Sequence, residues 1–135
     1  MKLARLGRKV WTVLAVLTER EECPVLDLLE SSDIPGERLL ADLRETIPAR
    51  GPPRNSEASE YLRDKIFELR EQVTRGGTLR VLYFYDDDHV VVCVNGVLKK
   101  KDKTPKTLID AAVEKRTAYF DAKAKKQLAI VDLPP

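Results

Sequence analysis

The sequence predicts an α+β domain, an antiparallel-dominated sheet of about four strands packed by two N-terminal helices and one C-terminal helix. Three observations carry that expectation. Apolar residues recur at helical spacing in two stretches of the first half and in one stretch near the end. Between them the pattern changes to runs of β-branched and aromatic residues divided by two strong turn signals. At 135 residues the chain can bury one core but not two, so a single domain over positions 1–135 is expected.

Residues 9–17 are rich in Val, Leu, Trp and Thr without a helical interval and read as the first strand, ended by Thr18-Glu19-Arg20-Glu21-Glu22. Pro24 fits the first turn of a helix, and Val25, Leu26, Leu28 and Leu29 continue it until Ser31-Ser32-Asp33. Leu39, Leu40, Leu43 and Ile47 then repeat about once per turn from Pro35-Gly36, which predicts a second helix ending at Pro48, with Gly51-Pro52-Pro53 behind it. A turn-rich loop through Asn55 and Ser56 follows. Residues 66–72, 79–85 and 89–95 read as three antiparallel strands, joined by Thr74-Arg75-Gly76-Gly77 and by Asp86-Asp87-Asp88. Thr104-Pro105 offers a helix cap followed by proline at the first helical position. Leu108, Ile109, Ala112, Val113, Tyr119 and Phe120 then fall at helical intervals. Residues 127–133 are apolar enough for an extra strand or a docked tail.

Apolar residues make up 43% of the chain and charged residues 34%, which supplies a core beneath a charged surface and excludes wholesale disorder. No apolar run approaches the roughly 20 residues of a membrane helix, and residues 1–17 lack the apolar centre and cleavage site of a signal peptide. A cytoplasmic protein without membrane contact is therefore expected. Cys23 and Cys93 stand far apart with no CxxC spacing, so two buried structural thiols are expected instead of a zinc site. His89 follows three aspartates, but four consecutive residues of a tight turn point in different directions, and no metal or cofactor is expected. The net charge is only +2, yet Lys99, Lys100, Lys101, Lys103 and Lys106 fall within eight positions. Such a segment is either a solvated loop or a holder for a polyanion.

A hairpin centred on Arg75 places Arg70 opposite Arg80. If the next hairpin pairs Tyr85 with Val90, Arg80 in turn faces Asn95, and Glu68, Leu82 and Cys93 form the adjacent row on the same face. The other face then carries Phe67, Tyr83 and Val92, then Leu69, Val81 and Val94. Like charges directly opposite cost a few tenths to about 1 kcal/mol, so something must compensate. Either Glu68 or Glu71 neutralises the pair, or the pair waits for an anion. Two planar guanidiniums match a phosphate well, and lysines just beyond Asn95 favour that reading.

Several motifs resemble one family. Residues 62–70, LRDKIFELR, resemble the L-x-D-x-L-Y-E-L-R segment of the phage-derived HigB-like branch of the RelE toxin superfamily. Residues 79–85, LRVLYFY, are similar to its W-R-V-L-Y-F strand, and residues 94–105, VNGVLKKKDKTP, to its L-H-G-F-x-K-K-x-x-K-T-P signature. Residues 108–119 resemble its E-L-A-x-x-R-x-x-x-Y helix, and Pro24-Val25 with Leu28-Leu29-Glu30 its P-V-x-x-F-L-E helix. The resemblance spans about 8–122, which makes that the toxin core and 123–135 a C-terminal tail.

Membership implies a RelE-like fold, a type II toxin–antitoxin system, and metal-independent endoribonuclease action on mRNA at the ribosome. It also implies inhibition by a helix-turn-helix, HigA-like antitoxin. Carried over position by position, the catalytic set is Arg70, Arg80, Lys99, Lys100 and Lys103, with Asn95, Arg116 and Tyr119 as further candidates. Thr104 and Pro105 match as well, but capping of the last helix accounts for both. Asn95 stands where the branch has histidine, Val97 where it has phenylalanine and Leu79 where it has tryptophan. An asparagine cannot shuttle a proton. RNA carries its own nucleophile in the 2′-hydroxyl, so arginines that hold the phosphate and a lysine acting as acid or base would be enough. Two other readings stay open: a catalytically silent RNA- or ribosome-binding protein, favoured by Asn95, and a ParE-like gyrase inhibitor, against which the lysine segment speaks.

Overall fold

The computed structural model describes residues 1–55, 57–73, 76–99 and 103–133. In chain order these form β1 (Lys2–Arg8), β2 (Thr12–Val16), α1 (Pro24–Glu30), α2 (Asp33–Ala41), a π-helical turn (Asp42–Thr46) and α3 (Ile47–Arg50). Then come β3 (Ser59–Arg63), β4 (Ile66–Gln72), β5 (Thr78–Asp86), β6 (Val90–Lys99), α4 (Lys106–Ala124) and β7 (Ala129–Asp132). The strands make one sheet in the order β3-β4-β5-β6-β2-β1-β7. β2 lies parallel to β6 and β1 parallel to β7, whereas β1–β2, β3–β4, β4–β5 and β5–β6 are antiparallel.

This corrects the expected fold class. The sheet is mixed and seven-stranded, not an antiparallel-dominated sheet of about four strands with two N-terminal helices, and two strands precede the first helix. Two strands are absent from the expectation, β1 and β3, while β7 takes the strand alternative offered for residues 127–133. The sequences of β1 and β3, KLARLGR and SEYLR, are short or interrupted by charge, so they carry no apolar run to read. The expected first strand divides differently as well: only residues 12–16 of it are strand, and residues 9–11 turn back toward β1.

The two faces of the sheet support two cores, because successive residues of a strand point to opposite sides. Val13 and Ala15 of β2, with Leu69, Val81, Tyr83 and Cys93, pack under Val25, Leu29, Leu39, Leu43 and Ile47 of the helices from the first half. Leu14 and Val16, with Ile66, Leu82, Phe84 and Val92, pack under Ala112 and Tyr119 of α4. Central strand β5 is buried from Thr78 through Phe84, as a strand covered on both faces must be. Cys23 and Cys93 are free and buried, and burial pushes both thiols above their ordinary pKa.

α2, the π turn and α3 run on without a break, and Pro48 explains the wide turn. Its nitrogen cannot donate to the Arg44 carbonyl, and its ring crowds that position, so the helix widens over the preceding residues. The helix therefore passes Pro48 and ends at Gly51, which has φ +83°. Gly7 makes room for this rod, since a Cβ there would stand 2.6 Å from both the Arg44 carbonyl oxygen and the Pro48 ring.

α4 is tied to the far end of β5 by a charged cluster. The Tyr119 hydroxyl donates to Asp86 at 2.7 Å, and Lys123 donates to both Asp86 oxygens at 2.8 Å. Burial pushes the Asp86 carboxyl up, but the bonds from Lys123 and Tyr119 outweigh it and hold the carboxyl below its ordinary value. A carboxylate depressed in the folded state adds stability above its unfolded pKa, about 3.9, and loses it as pH falls through the folded value. Asp86→Asn is therefore expected to cost about 1.5–3 kcal/mol near neutral pH. In thermal melts, the gap between wild type and variant should close below about pH 4; a gap that stays constant from pH 7 to pH 2 would show that the loss does not come from the charge of the carboxylate.

Candidate phosphate site at the end of the sheet

The β4–β5 register pairs Arg70 with Arg80, flanked by Glu68 opposite Leu82 and Gln72 opposite Thr78. This is the pairing that a hairpin centred on Arg75 predicts. The next register is not the expected one. Asp86 pairs with Val90, so the turn has three residues, with Asp88 at φ 60° and His89 at φ 61°. A bulge between Leu82 and Tyr83 then shifts the register again. Together they set Arg80 opposite Val97, and Asn95 opposite Leu82. Lys99, opposite Thr78, falls on the same face as Arg80, one row further along.

Neither arginine is bare. Arg80 is 3% exposed and Glu68 1%, and the Arg80 Nη1 donates to Glu68 Oε1 at 2.6 Å. The Thr104 hydroxyl completes the cluster, donating to Glu68 Oε2 at 2.5 Å and accepting from Arg80 at 3.3 Å. Arg70 is more open. Its Nη1 donates to Glu60 Oε2 at 2.9 Å and lies 3.9 Å from Glu68, with Glu60 half-exposed on the edge strand. The buried Nε of Arg70 has no hydrogen-bond partner among the described residues.

An open groove of about 370 Å³ lies beside this cluster, lined by Glu60, Arg63, Glu68, Arg80, Lys103 and Thr104, among others; Arg70 stands behind Glu60 and does not line it. Arg63 is neutralised by Asp64 and Asp110. Lys103 is exposed and forms no ion pair among the described residues. A cation without an ion-pair partner among the described residues thus lines a groove walled by the Glu68–Arg80–Thr104 cluster, and with Arg70 held by the movable Glu60 behind it the arrangement can grip a phosphodiester.

Residues 27–117, well over half of the chain, match the family described as phage derived protein Gp49-like (DUF891). The chain belongs to the Gp49-like family. That family is associated with RelE-like toxins of toxin–antitoxin systems, and such a toxin has an antitoxin partner. No curated protein matches the sequence. The matched span holds Arg70, Arg80, Lys99, Lys103 and Thr104 but stops short of Tyr119.

Within this Gp49-like chain, Arg70, Arg80, Lys99 and Lys103 come to one end of one sheet face. Lys100 lies outside the described residues. Asn95 donates its amide to the Leu108 carbonyl at 3.3 Å and so ties β6 to α4. Arg116 lies over the Phe120 ring, 4.8 Å from its centroid. Tyr119 is a core residue, 3% exposed, against Phe84 and Asp86. Asp86 is six residues along β5 from Arg80, roughly 20 Å, so the structure does not bring Tyr119 to the arginines. His89 packs its edge against Trp11, with ring centroids 4.6 Å apart.

Sequence reasoning missed two groups. Thr104 was expected to cap α4, yet the cap position belongs to Pro105 and no side chain caps it; the Thr104 hydroxyl serves Glu68 and Arg80 instead. Glu60 sits in a segment expected to be loop, and only the existence of β3 puts it opposite Glu68, beside Arg70. The match of Thr104 to the K-T-P motif was the available signal, and capping explained it away.

Proposed function

We propose that this chain is the HigB-like toxin of a type II toxin–antitoxin pair and cuts mRNA on the ribosome as a metal-independent endoribonuclease. The observation that supports the reading is the gathering of Arg70, Arg80 and Lys99 at one end of one sheet face, next to a groove in which Lys103 stands beside the buried Glu68–Arg80–Thr104 cluster without an ion-pair partner among the described residues. The scissile phosphate displaces Glu60 from Arg70 and lies between Arg70 and Lys103, while Arg80 fixes the floor beneath it. Freed Glu60 takes the 2′-hydroxyl proton as the 2′-oxygen bonds to phosphorus. The bond to the 5′-oxygen breaks, and that oxygen leaves with a proton from Lys103. Lys99 extends the positive rim along the RNA backbone, and a helix-turn-helix antitoxin blocks the groove with an acidic or helical element.

Fragment ends test this directly. Messenger RNA cut on ribosomes by the purified protein should carry a 2′,3′-cyclic phosphate and a 5′-hydroxyl, and a 2′-deoxy nucleotide at the cut should protect it. A 3′-hydroxyl with a 5′-phosphate would overturn the mechanism, because attack by water and not by the 2′-oxygen leaves those ends. Asn95, which spends its amide on Leu108, and the burial of Arg80 favour a second reading, a silent RNA-binding protein. Tight ribosome or RNA binding with every fragment intact would select it.

A further inference from the structure

A second groove, of about 440 Å³, lies on the other side of β3, toward the helices of the first half. Tyr61, Phe67, Tyr85 and Trp11 line it as a continuous series of rings. Centroids are 5.1 Å apart from Tyr61 to Phe67, 5.1 Å from Phe67 to Tyr85, and 5.9 Å from Tyr85 to Trp11. Tyr61 is 52% exposed on the edge strand. Arg50 and Arg54 form the opposite wall, both exposed, and neither makes an ion pair among the described residues. The carboxylate that lines this groove, Glu60, is already held by Arg70.

An exposed ring, Tyr61, continued by partly buried ones beside guanidiniums without ion-pair partners among the described residues is what an unstacked base on a polyanion requires. The base covers the aromatic surface, and the cations meet its phosphates. A protein partner rich in acidic residues would satisfy the cations alone. RNA is favoured because Glu60 and Tyr61 line both grooves: a single edge strand separates them, so a chain gripped by phosphate on one side passes directly over Tyr61.

We propose that this aromatic groove takes an unpaired base next to the cleaved bond of single-stranded RNA and thereby sets where the chain is cut. The proposal rests on the nuclease reading above and has a separate readout. Binding of a 2′-O-methylated single-stranded oligoribonucleotide, which cannot be cut, is compared by fluorescence anisotropy with binding of the same oligonucleotide carrying abasic positions. Wild type should prefer the intact oligonucleotide by at least about fivefold, the low end for one stacked base. Tyr61→Leu, on an exposed edge where folding is kept, should bind the two alike, at the abasic level. Arg54→Ser should weaken both, since it meets phosphate.

Equal binding of the two oligonucleotides by wild type overturns the proposal and leaves the nuclease reading standing. So does a preference that survives Tyr61→Leu, or Tyr61→Leu releasing the antitoxin with RNA binding unchanged. Absence of any RNA binding, together with no cleavage on ribosomes, removes both.

Discussion

Replacing Arg80 with methionine will destabilise the protein by about 3–5 kcal/mol, a large part of the roughly 5–15 kcal/mol that holds a domain together. The reason is the partner left behind. Glu68 is 1% exposed and would keep its charge with the Thr104 hydroxyl and the more distant Arg70, at 3.9 Å, in place of a guanidinium at 2.6 Å. Glu68→Leu should cost as much, for the mirror-image reason. The double variant, Glu68→Leu with Arg80→Met, should recover much of the loss, because two apolar groups of similar volume leave no buried charge uncompensated. Urea denaturation of the four proteins measures the cycle. Single variants that lose less than about 1 kcal/mol would mean that water reaches the pair and that surface-bridge energetics apply.

Arg70→Ala will slow cleavage of ribosome-bound mRNA about 10²–10³-fold, the range for removing one preorganised donor from a developing oxyanion, while leaving the melting temperature close to that of wild type. Its nearer carboxylate partner is the half-exposed Glu60, and such pairs contribute about 0–1 kcal/mol, while Glu68, 3.9 Å away, keeps Arg80 at 2.6 Å. Arg70→Lys should restore only part of the rate, since an ammonium keeps the charge but lacks the planar fork. Single-turnover cleavage and thermal melts on the same preparations separate the effects. Full activity in Arg70→Ala would remove this side chain from the mechanism. The two arginines face each other across one register position, yet they pose different experiments. Loss of function at position 80 would be mixed with loss of fold, whereas at position 70 it reports chemistry.

Local signals in the sequence carried a good deal. The β4–β5 hairpin is closed by the Gly76-Gly77 turn, and that contact over a short stretch of chain is enough to place Arg70 beside Arg80. The helices at positions 24–30, 33–50 and 106–124 follow from apolar spacing, with Pro24 and Pro105 marking two of their starts. The register of β6 was not legible in the same way. Which residues of Asp86-Asp87-Asp88-His89 turn, and whether Leu82 sits beside a bulge, depends on how β6 meets β2 in parallel on its other side, a contact with a strand nearly eighty residues earlier.

What the sequence by itself determined about this protein is the central hairpin, the helical stretches, two buried thiols, and motifs specific enough to point to its family. Only the tertiary structure decided that the sheet has seven strands, that Thr104 serves an ion pair instead of a helix end, and that Glu60 stands beside Arg70. The physical reason is that an edge strand needs little from its own side chains. Backbone groups pair with whatever template the neighbouring strand presents, so SEYLR and AIVD become strands because β4 and β1 offer unpaired hydrogen-bonding edges. Such information resides in the partner strand and not in the segment itself.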